Sequence, residues 1–309
     1  MTLVEWMVSV AIGLVLVSAM LVLFANQSST QGELEKSSRQ IENGRYAMQL
    51  LREDIELAGY WGEYAPPAGA TMTVPADPCD LTVANQGWNA ATPSVPVAVH
   101  GYDGAAATPS CLSNRKSGTA VLVLRRVETT PVAVASAVAG TSYLQASLCS
   151  SDTSRFAFGT GGFTLRQKDC AALATLRKYV VRIYYVSTCS VCGQDTIPTL
   201  KMVENGGTPQ PLVEGIENMQ FDYGIDASSD GAPDSYSAAP GAADWAHVMA
   251  LRLHLLARNN EKSPGYQDNK TYSLGLSGTV TPAGGDAQFK RHVFSQAVRV
   301  VNVSARRDQ

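Results

Sequence analysis

Cys189-Ser190-Val191-Cys192 puts two thiols three positions apart. Such a pair can exchange disulfides, hold half of a zinc site, or close a structural bridge. An exchange site normally opens a helix after a strand, where the helix dipole lowers a thiol pKa. Here Gly193-Gln194-Asp195-Thr196-Ile197-Pro198 reads as a turn entering a strand. A zinc site needs a second ligand pair, and no other CxxC and no HxxxH occurs. A structural disulfide is the favoured reading, with a redox pair as its rival.

A second constellation is Asp226-Ala227-Ser228-Ser229-Asp230-Gly231-Ala232-Pro233-Asp234. Asp226, Ser228, Asp230 and Asp234 supply oxygen at the spacing of a calcium loop, with Gly231 where such a loop turns sharply. Ser237 stands at the twelfth position, where an EF-hand has a bidentate Glu. Calcium, if bound, would need Asp222, waters or backbone carbonyls to complete its shell, and would bind weakly. The alternative is a solvated hairpin loop. Calcium is the one cofactor the sequence offers.

The remaining chemistry-bearing residues do not assemble into a motif. Gly159-Thr160-Gly161-Gly162 lacks the Lys-Ser/Thr ending of a phosphate loop. His100, His247, His254 and His292 are scattered, and His247 and His254 fit sheet faces. There is no HExxH and no GxSxG. Nothing here argues for catalysis.

Glu5 is the last and most telling of these residues. It is the one charged side chain in Met1–Ala25, a stretch long enough to cross a hydrocarbon core as a helix. A carboxylate deep in an apolar helix costs about 2.5–3.5 kcal/mol on insertion scales and is usually paired. A carboxylate near the helix end can instead reach headgroup water. Hydropathy alone is equally consistent with an uncleaved signal anchor. A cleaved signal peptide would need a basic n-region and a small-residue cleavage site.

Beyond Ala25 the helical pattern becomes amphipathic. Leu34, Ile41, Met48, Leu51, Ile55 and Ala58 predict one buried face, with Glu33, Glu35, Lys36, Arg39, Glu42, Arg45, Arg52, Glu53 and Asp54 on a solvated face. Gly59 predicts the stop. The expected organisation is a transmembrane helix (1–25), its amphipathic half (26–62), and a β-rich head (63–309). Residues 63–117 read as turns with one strand at Val95–His100. Further strands are expected at Thr119–Arg126, Lys178–Val186, Thr199–Val203, Met219–Ile225, His247–Ala257 and Val293–Val303. The fold class is α+β: a long N-terminal helix packed on an antiparallel sheet.

The chain of 309 residues carries 24 basic and 27 acidic side chains, a net charge of −3 that argues against general nucleic-acid binding. The six cysteines are Cys79, Cys111, Cys149, Cys170, Cys189 and Cys192. An even count behind a membrane-targeted start implies disulfides in an oxidising compartment. Fifteen connectivities are possible. The expectation is sequence-near pairing: Cys79–Cys111, Cys149–Cys170 and Cys189–Cys192.

Thr2-Leu3-Val4-Glu5 opening an apolar helix resembles the start of mature type IV pilins and pseudopilins. Met1 and Trp6 stand where that superfamily usually has Phe and Leu or Val. The resemblance implies N-methylation at Met1 after a prepilin peptidase removes a leader. It also implies pairing of Glu5 with the N-terminal amine of a neighbouring subunit. Glu42-Asn43-Gly44-Arg45-Tyr46-Ala47 and Arg52-Glu53-Asp54-Ile55-Glu56-Leu57-Ala58-Gly59-Tyr60-Trp61-Gly62 resemble the PilW family of minor pilins. So do Arg182–Val186, Leu212–Met219, Arg252–Arg258 and Arg291–Ser295, whereas 63–177 resembles nothing nameable. The family implies a pilin-like fold in a non-enzymatic subunit that primes type IV pilus assembly. Its partners would be other minor pilins, the major pilin and a large adhesin-like tip protein. The location would be the bacterial inner membrane before assembly and the cell-surface pilus after it. The rivals are a type II secretion pseudopilin, a membrane-anchored periplasmic thiol oxidoreductase, and a calcium-dependent adhesive head.

Overall fold

The computed structural model describes residues 2–67 and 69–304. A single helix, α1 (Leu3–Leu57), runs unbroken for 55 residues, about 80 Å at 1.5 Å per residue. No proline interrupts it. Thr2 is extended just before it, and the Thr2 N–H donates to Glu5 Oε2 at 2.8 Å, half of a capping box. At the far end Gly59 takes φ +76°, a left-handed conformation suited to glycine. Its N–H donates to Arg125 O at 2.9 Å, so the chain leaves the helix already tied to a strand.

The strands, in chain order, are β1 (Thr71–Thr73), β2 (Ser94–Pro96), β3 (Val99–Tyr102), β4 (Val121–Val127), β5 (Tyr143–Ala146), β6 (Phe156–Gly159), β7 (Leu176–Ser187) and β8 (Thr199–Glu204). They continue with β9 (Gln210–Glu214), β10 (Ile216–Ile225), β11 (Ser235–Ser237), β12 (Val248–Arg258), β13 (Tyr272–Ser273), β14 (Thr279–Val280) and β15 (Arg291–Arg299), and α2 (Val301–Ser304) follows. The expected α+β architecture is present, but the head holds two main antiparallel sheets rather than one. The first has strand order β11-β10-β12-β15. The second runs β3-β4-β7-β5-β6, with β8 pairing to β7 and β9 to β8. The long β7 serves both β5, opposite residues 176–178, and β8, opposite 182–187. β1 and β2 form a short parallel pair, and β13 and β14 a small hairpin.

Period-two alternation divides β4 between two cores. Leu122 and Leu124 join Met48, Leu51 and Ile55 of α1 and Phe221, Leu251, Leu253 and Leu255 of the four-stranded sheet. Val121, Val123 and Val127 face the other way, into an aromatic core with Trp61, Trp88, Phe156 and Tyr179. Because both faces are covered, every residue of β4 is buried. That burial explains why Val121–Leu124 is apolar without alternation, while Arg125 and Arg126 of the same strand are buried too.

Three expectations need correction. Leu34 and Ile41, assigned to the buried helix face, are 65 % and 36 % exposed, and Asp54, assigned to the solvated face, is buried. The buried face is Gln40, Gly44, Ala47, Met48, Leu51, Asp54 and Ile55, because the lower seam is polar: Gln40 Nε2 donates to Ala257 O at 2.7 Å. At Gly44 the Phe294 ring lies so close that an added methyl would overlap it. Second, Val293–Val303 is not one strand. β15 spans Arg291–Arg299, and the chain then turns helically at Val301–Ser304. Asn302 Nδ2 donates there to Glu56 O at 3.0 Å, satisfying a carbonyl that the end of α1 leaves open. Third, β5 and β6 fall where no strand was expected. Both are only four residues long, too short to show a period.

Candidate assembly surface

The large apolar side chains of the first half of α1, from Leu3 to Phe24, are exposed, and nothing in the head covers them. A helix that is apolar all round and uncovered needs lipid or other helices as its solvent. Glu5 sits at its start with its carboxylate turned back on Thr2 N–H. Met1, the expected N-methylation position, lies outside the described residues.

The second half of α1 is held to the head by charge as well as by packing. Asp54 is buried, and its Oδ1 accepts from Arg126 Nε at 3.2 Å and Arg182 Nη1 at 3.0 Å. Tyr184 OH donates to Asp54 Oδ2 at 2.9 Å. Burial, and then the Asp54 charge, push the Tyr184 hydroxyl well above its ordinary pKa. Burial disfavours the Arg182 cation, yet Asp54, Tyr184 and Glu204 outweigh that and raise its pKa. One carboxylate of the helix thus organises two strands, β4 and β7. Beside this seam an open groove of about 610 Å³ lies between Arg45, Gln49 and Arg52 of α1 and Phe294, Ser295 and Gln296 of β15.

Lower on the helix, Glu33 Oε2 accepts from Lys290 Nζ at 2.6 Å and Ser263 Oγ at 2.7 Å. The Lys290 bond, and then that from Ser263, lower its pKa to about 2. A carboxyl held below its unfolded pKa contributes stability above that unfolded value. The contribution is lost as pH falls from about 4.5 toward about 2. The Glu33→Gln variant is therefore expected to match the parent's Tm at pH 2 and fall below it at pH 7. Melting by circular dichroism across pH 2–7 checks this, and parallel curves would remove Glu33 from the seam.

The other predicted residues are dispersed over the head. Cys79–Cys111, Cys149–Cys170 and Cys189–Cys192 are bridged, the same three sequence-near pairs. In the 226–234 loop the carboxylates accept the loop's own amides, and Ser228 Oγ lies 3.4 Å from Asp226 Oδ1. Asp226 is buried and accepts from Asp230 N–H at 3.2 Å and Gly231 N–H at 3.1 Å. Asp234 Oδ2 accepts from Ala227 and Ser228 N–H at 2.8 and 2.9 Å, and Asp230 Oδ1 from Ala232 N–H at 2.9 Å. Ser228 Oγ lies 3.2 Å from Asp234 Oδ1. Asp222, invoked as a further ligand, faces His254 instead. Among the described residues no group of three or more His, Cys, Asp and Glu could hold a metal ion. The acidic spacing is that of a loop closing on its own amides, as Asp residues do in turns.

Sequence spacing missed one arrangement. His254 on β12 contacts Asp222 Oδ2 through Nε2 at 3.1 Å and Ser295 Oγ through Nδ1 at 2.9 Å. The three residues come from three neighbouring strands, and only the register Gln220–His254–Ser295 brings them together. Asp222 Oδ1 also accepts from Leu276 N–H at 3.0 Å, so the row pins the Gly275–Ser277 turn to the sheet. His247 instead ends the Asp244–His247 turn, with Nδ1 3.1 Å from Asp226 O. His100 is pushed down to about pKa 4 by burial and then by the neighbouring Arg125.

The fold and its uncovered helix define a class: an α+β head carried on a long helix whose apolar half awaits lipid or other helices. Residues 183–302 match the family model of type IV pilus-assembly protein W, the PilW family that the sequence segments resemble. The structure is similar to a type IV-like pilin from Thermus thermophilus at 13 % identity and a TM-score of 0.29, covering 62 % of this chain and 80 % of that one. No curated protein sequence matches the chain.

Proposed function

We propose that this chain is a structural minor pilin that helps to prime type IV pilus assembly at the filament tip. The observation that carries the reading is the uncovered apolar half-helix, opened by Glu5 and joined without a break to a head whose 183–302 region matches the pilus-assembly family. Residues 1–25 act as the membrane or filament-core segment and 26–62 as the part docked on the head at 63–309. Before assembly the helix lies in the inner membrane with the head in the periplasm. On assembly it exchanges lipid for neighbouring helices, among other minor pilins, the major pilin and a large adhesin-like tip protein. The head is a scaffold for these contacts rather than an enzyme.

The test is crosslinking of sheared, assembled filaments followed by mass spectrometry. Crosslinks from the second half of α1 to other minor pilins, with the chain at tip stoichiometry, are the expected result. Crosslinks confined to secretion-system subunits would replace this reading with the pseudopilin one. A chain absent from filaments and found only in the membrane fraction would overturn both.

A further inference from the structure

Cys192 is the one exposed half-cystine among the described residues; Cys189 is buried, and the other four are buried or intermediate. The Cys192 sulfur has a charged neighbour. Lys201 on β8 is only 5 % exposed, and its Nζ lies 3.5 Å from Cys192 Sγ. On the other side, the Ser187 hydroxyl, fully buried, lies 3.6 Å from Cys189 Sγ, with Thr188 Oγ1 at 3.8 Å. The Asp195 carboxylate accepts the Ser190, Val191 and Ile197 N–H groups at 2.8, 2.6 and 3.0 Å. These bonds shape the turn that presents Cys192.

We infer that Cys189–Cys192 is a thiol–disulfide exchange site, with Cys192 as the sulfur attacked by an incoming thiolate and Lys201 as its positioning cation. Three physical arguments support this. Attack needs a reachable sulfur, and Cys192 is the exposed residue of the pair while Cys189 is buried. In the oxidised state the nearly buried Lys201 ammonium has the Asp195 carboxylate as its anionic neighbour and only a neutral sulfur at the Cys192 contact, whereas reduction creates a second anion, a thiolate, beside it. The ion pair therefore favours the reduced form and makes the disulfide more oxidising. Finally, this bridge spans a sequence separation of 3, against 32 and 21 for the others. It constrains the unfolded chain least, so its loss costs the fold least.

The exchange balances as follows. The incoming thiolate sulfur bonds to Cys192 Sγ as the Cys189–Cys192 bond breaks, and the electron pair leaves on Cys189 Sγ, where the Ser187 and Thr188 hydroxyls can donate to it. If the incoming group is a dithiol, its second thiolate attacks the mixed disulfide at the incoming sulfur and releases Cys192 as a thiolate facing Lys201. The dithiol is oxidised to a disulfide and sheds its two protons to solvent, and the CxxC gains two electrons as the Cys189 and Cys192 thiolates, each free to take up one of those protons.

The test uses the full chain in detergent micelles. Reduced glutathione and a reduced, unfolded protein dithiol serve as the two probes, separating a small-thiol source from a protein one. Acid quenching, alkylation and peptide mass spectrometry then report each bridge and each adduct. Cys189–Cys192 is expected to open about tenfold or more faster than the other two bridges, with the glutathione adduct on Cys192. In a Cys189→Ser chain, checked for an unchanged circular dichroism spectrum, Cys192 alkylation is expected to reach its pH midpoint below that of free cysteine. Adding Lys201→Gln is expected to move that midpoint up. Three bridges opening together, an adduct on Cys189, or a midpoint indifferent to Lys201 would each overturn the proposal. The parent-chain comparison needs no variant, so misfolding of a variant does not rescue the idea.

Discussion

Replacement of Glu5 by valine is expected to leave membrane insertion intact and to remove most of the chain from assembled filaments. The two steps respond differently because the carboxylate matters to them in opposite ways. Insertion is hindered by a charge in an apolar helix, by about 2.5–3.5 kcal/mol at the helix centre and less near its end, so Glu5→Val should insert equally well or better. Assembly, on the proposed reading, buries Glu5 among neighbouring helices, where it meets the N-terminal amine of another subunit. Removing one member of a buried pair leaves the other charge uncompensated and costs about 3–5 kcal/mol, roughly 10²–10⁴ in an equilibrium constant. In the single chain Glu5 Oε2 accepts the local Thr2 N–H at 2.8 Å. That bond can be given up to water or to a stronger donor. Membrane fractionation and copurification with minor pilins measure the two steps separately. Normal incorporation of the variant would show that Glu5 is a headgroup-facing residue with no part in assembly.

The largest expected effect on the head comes from Asp54→Ala. The variant leaves Arg126 and Arg182 facing each other across a buried space, with Tyr184 lacking its acceptor. Arg126 keeps Glu128 at 3.6 Å and Arg182 keeps Glu204 at 2.9 Å, but the buried link from helix to strands is broken, and removing one partner of a buried ion pair costs about 3–5 kcal/mol. At about 2–4 °C per kcal/mol for a domain of this size, Tm should fall by about 6–20 °C. Glu53→Ala provides the comparison. Glu53 is exposed and accepts from Gln49 one turn earlier, and a surface change of this sort stays within about 0.5 kcal/mol. Thermal melting of both full-length variants in the same detergent decides the matter. Equal, small shifts would mean that the apolar seam alone docks the helix. The position matters beyond stability, because Asp54 ties the helix that would sit in the filament to the strands that would face its neighbours.

Much of this architecture follows from local pattern. An apolar run without proline specifies a long helix wherever it lies, because each residue's propensity and each i→i−4 bond are local. Gly59 marked the helix end because its positive φ is a single-residue property. The dense β-branched runs became β4, β7, β8, β10 and β12 within a few residues of their expected bounds. The three bridges join cysteines near in sequence, the pairs for which loop closure costs least entropy.

What the chain's order does not contain is the register between strands and the level at which the head meets the helix. The helical period placed Leu34, Ile41 and Met48 on one stripe, but only the docked head decides where that stripe stops being covered. It stops between Met48 and Ile41, below which the buried face passes to Gly44 and Gln40 and leaves Ile41 and Leu34 outside. The acidic spacing at 226–234 suggested metal ligands, while the folded loop turns those oxygens onto its own N–H groups. Asp54 reaches Arg126 and Arg182 across 72 and 128 positions, and His254 reaches Asp222 and Ser295 across 32 and 41. Lys201 stands nine positions from Cys192 and touches it only because β8 starts beside the bridged turn. Periodicity and propensity are sums over neighbours in the chain. Charge compensation and thiol reactivity are set by neighbours in space, and those exist only once the sheets have chosen their partners.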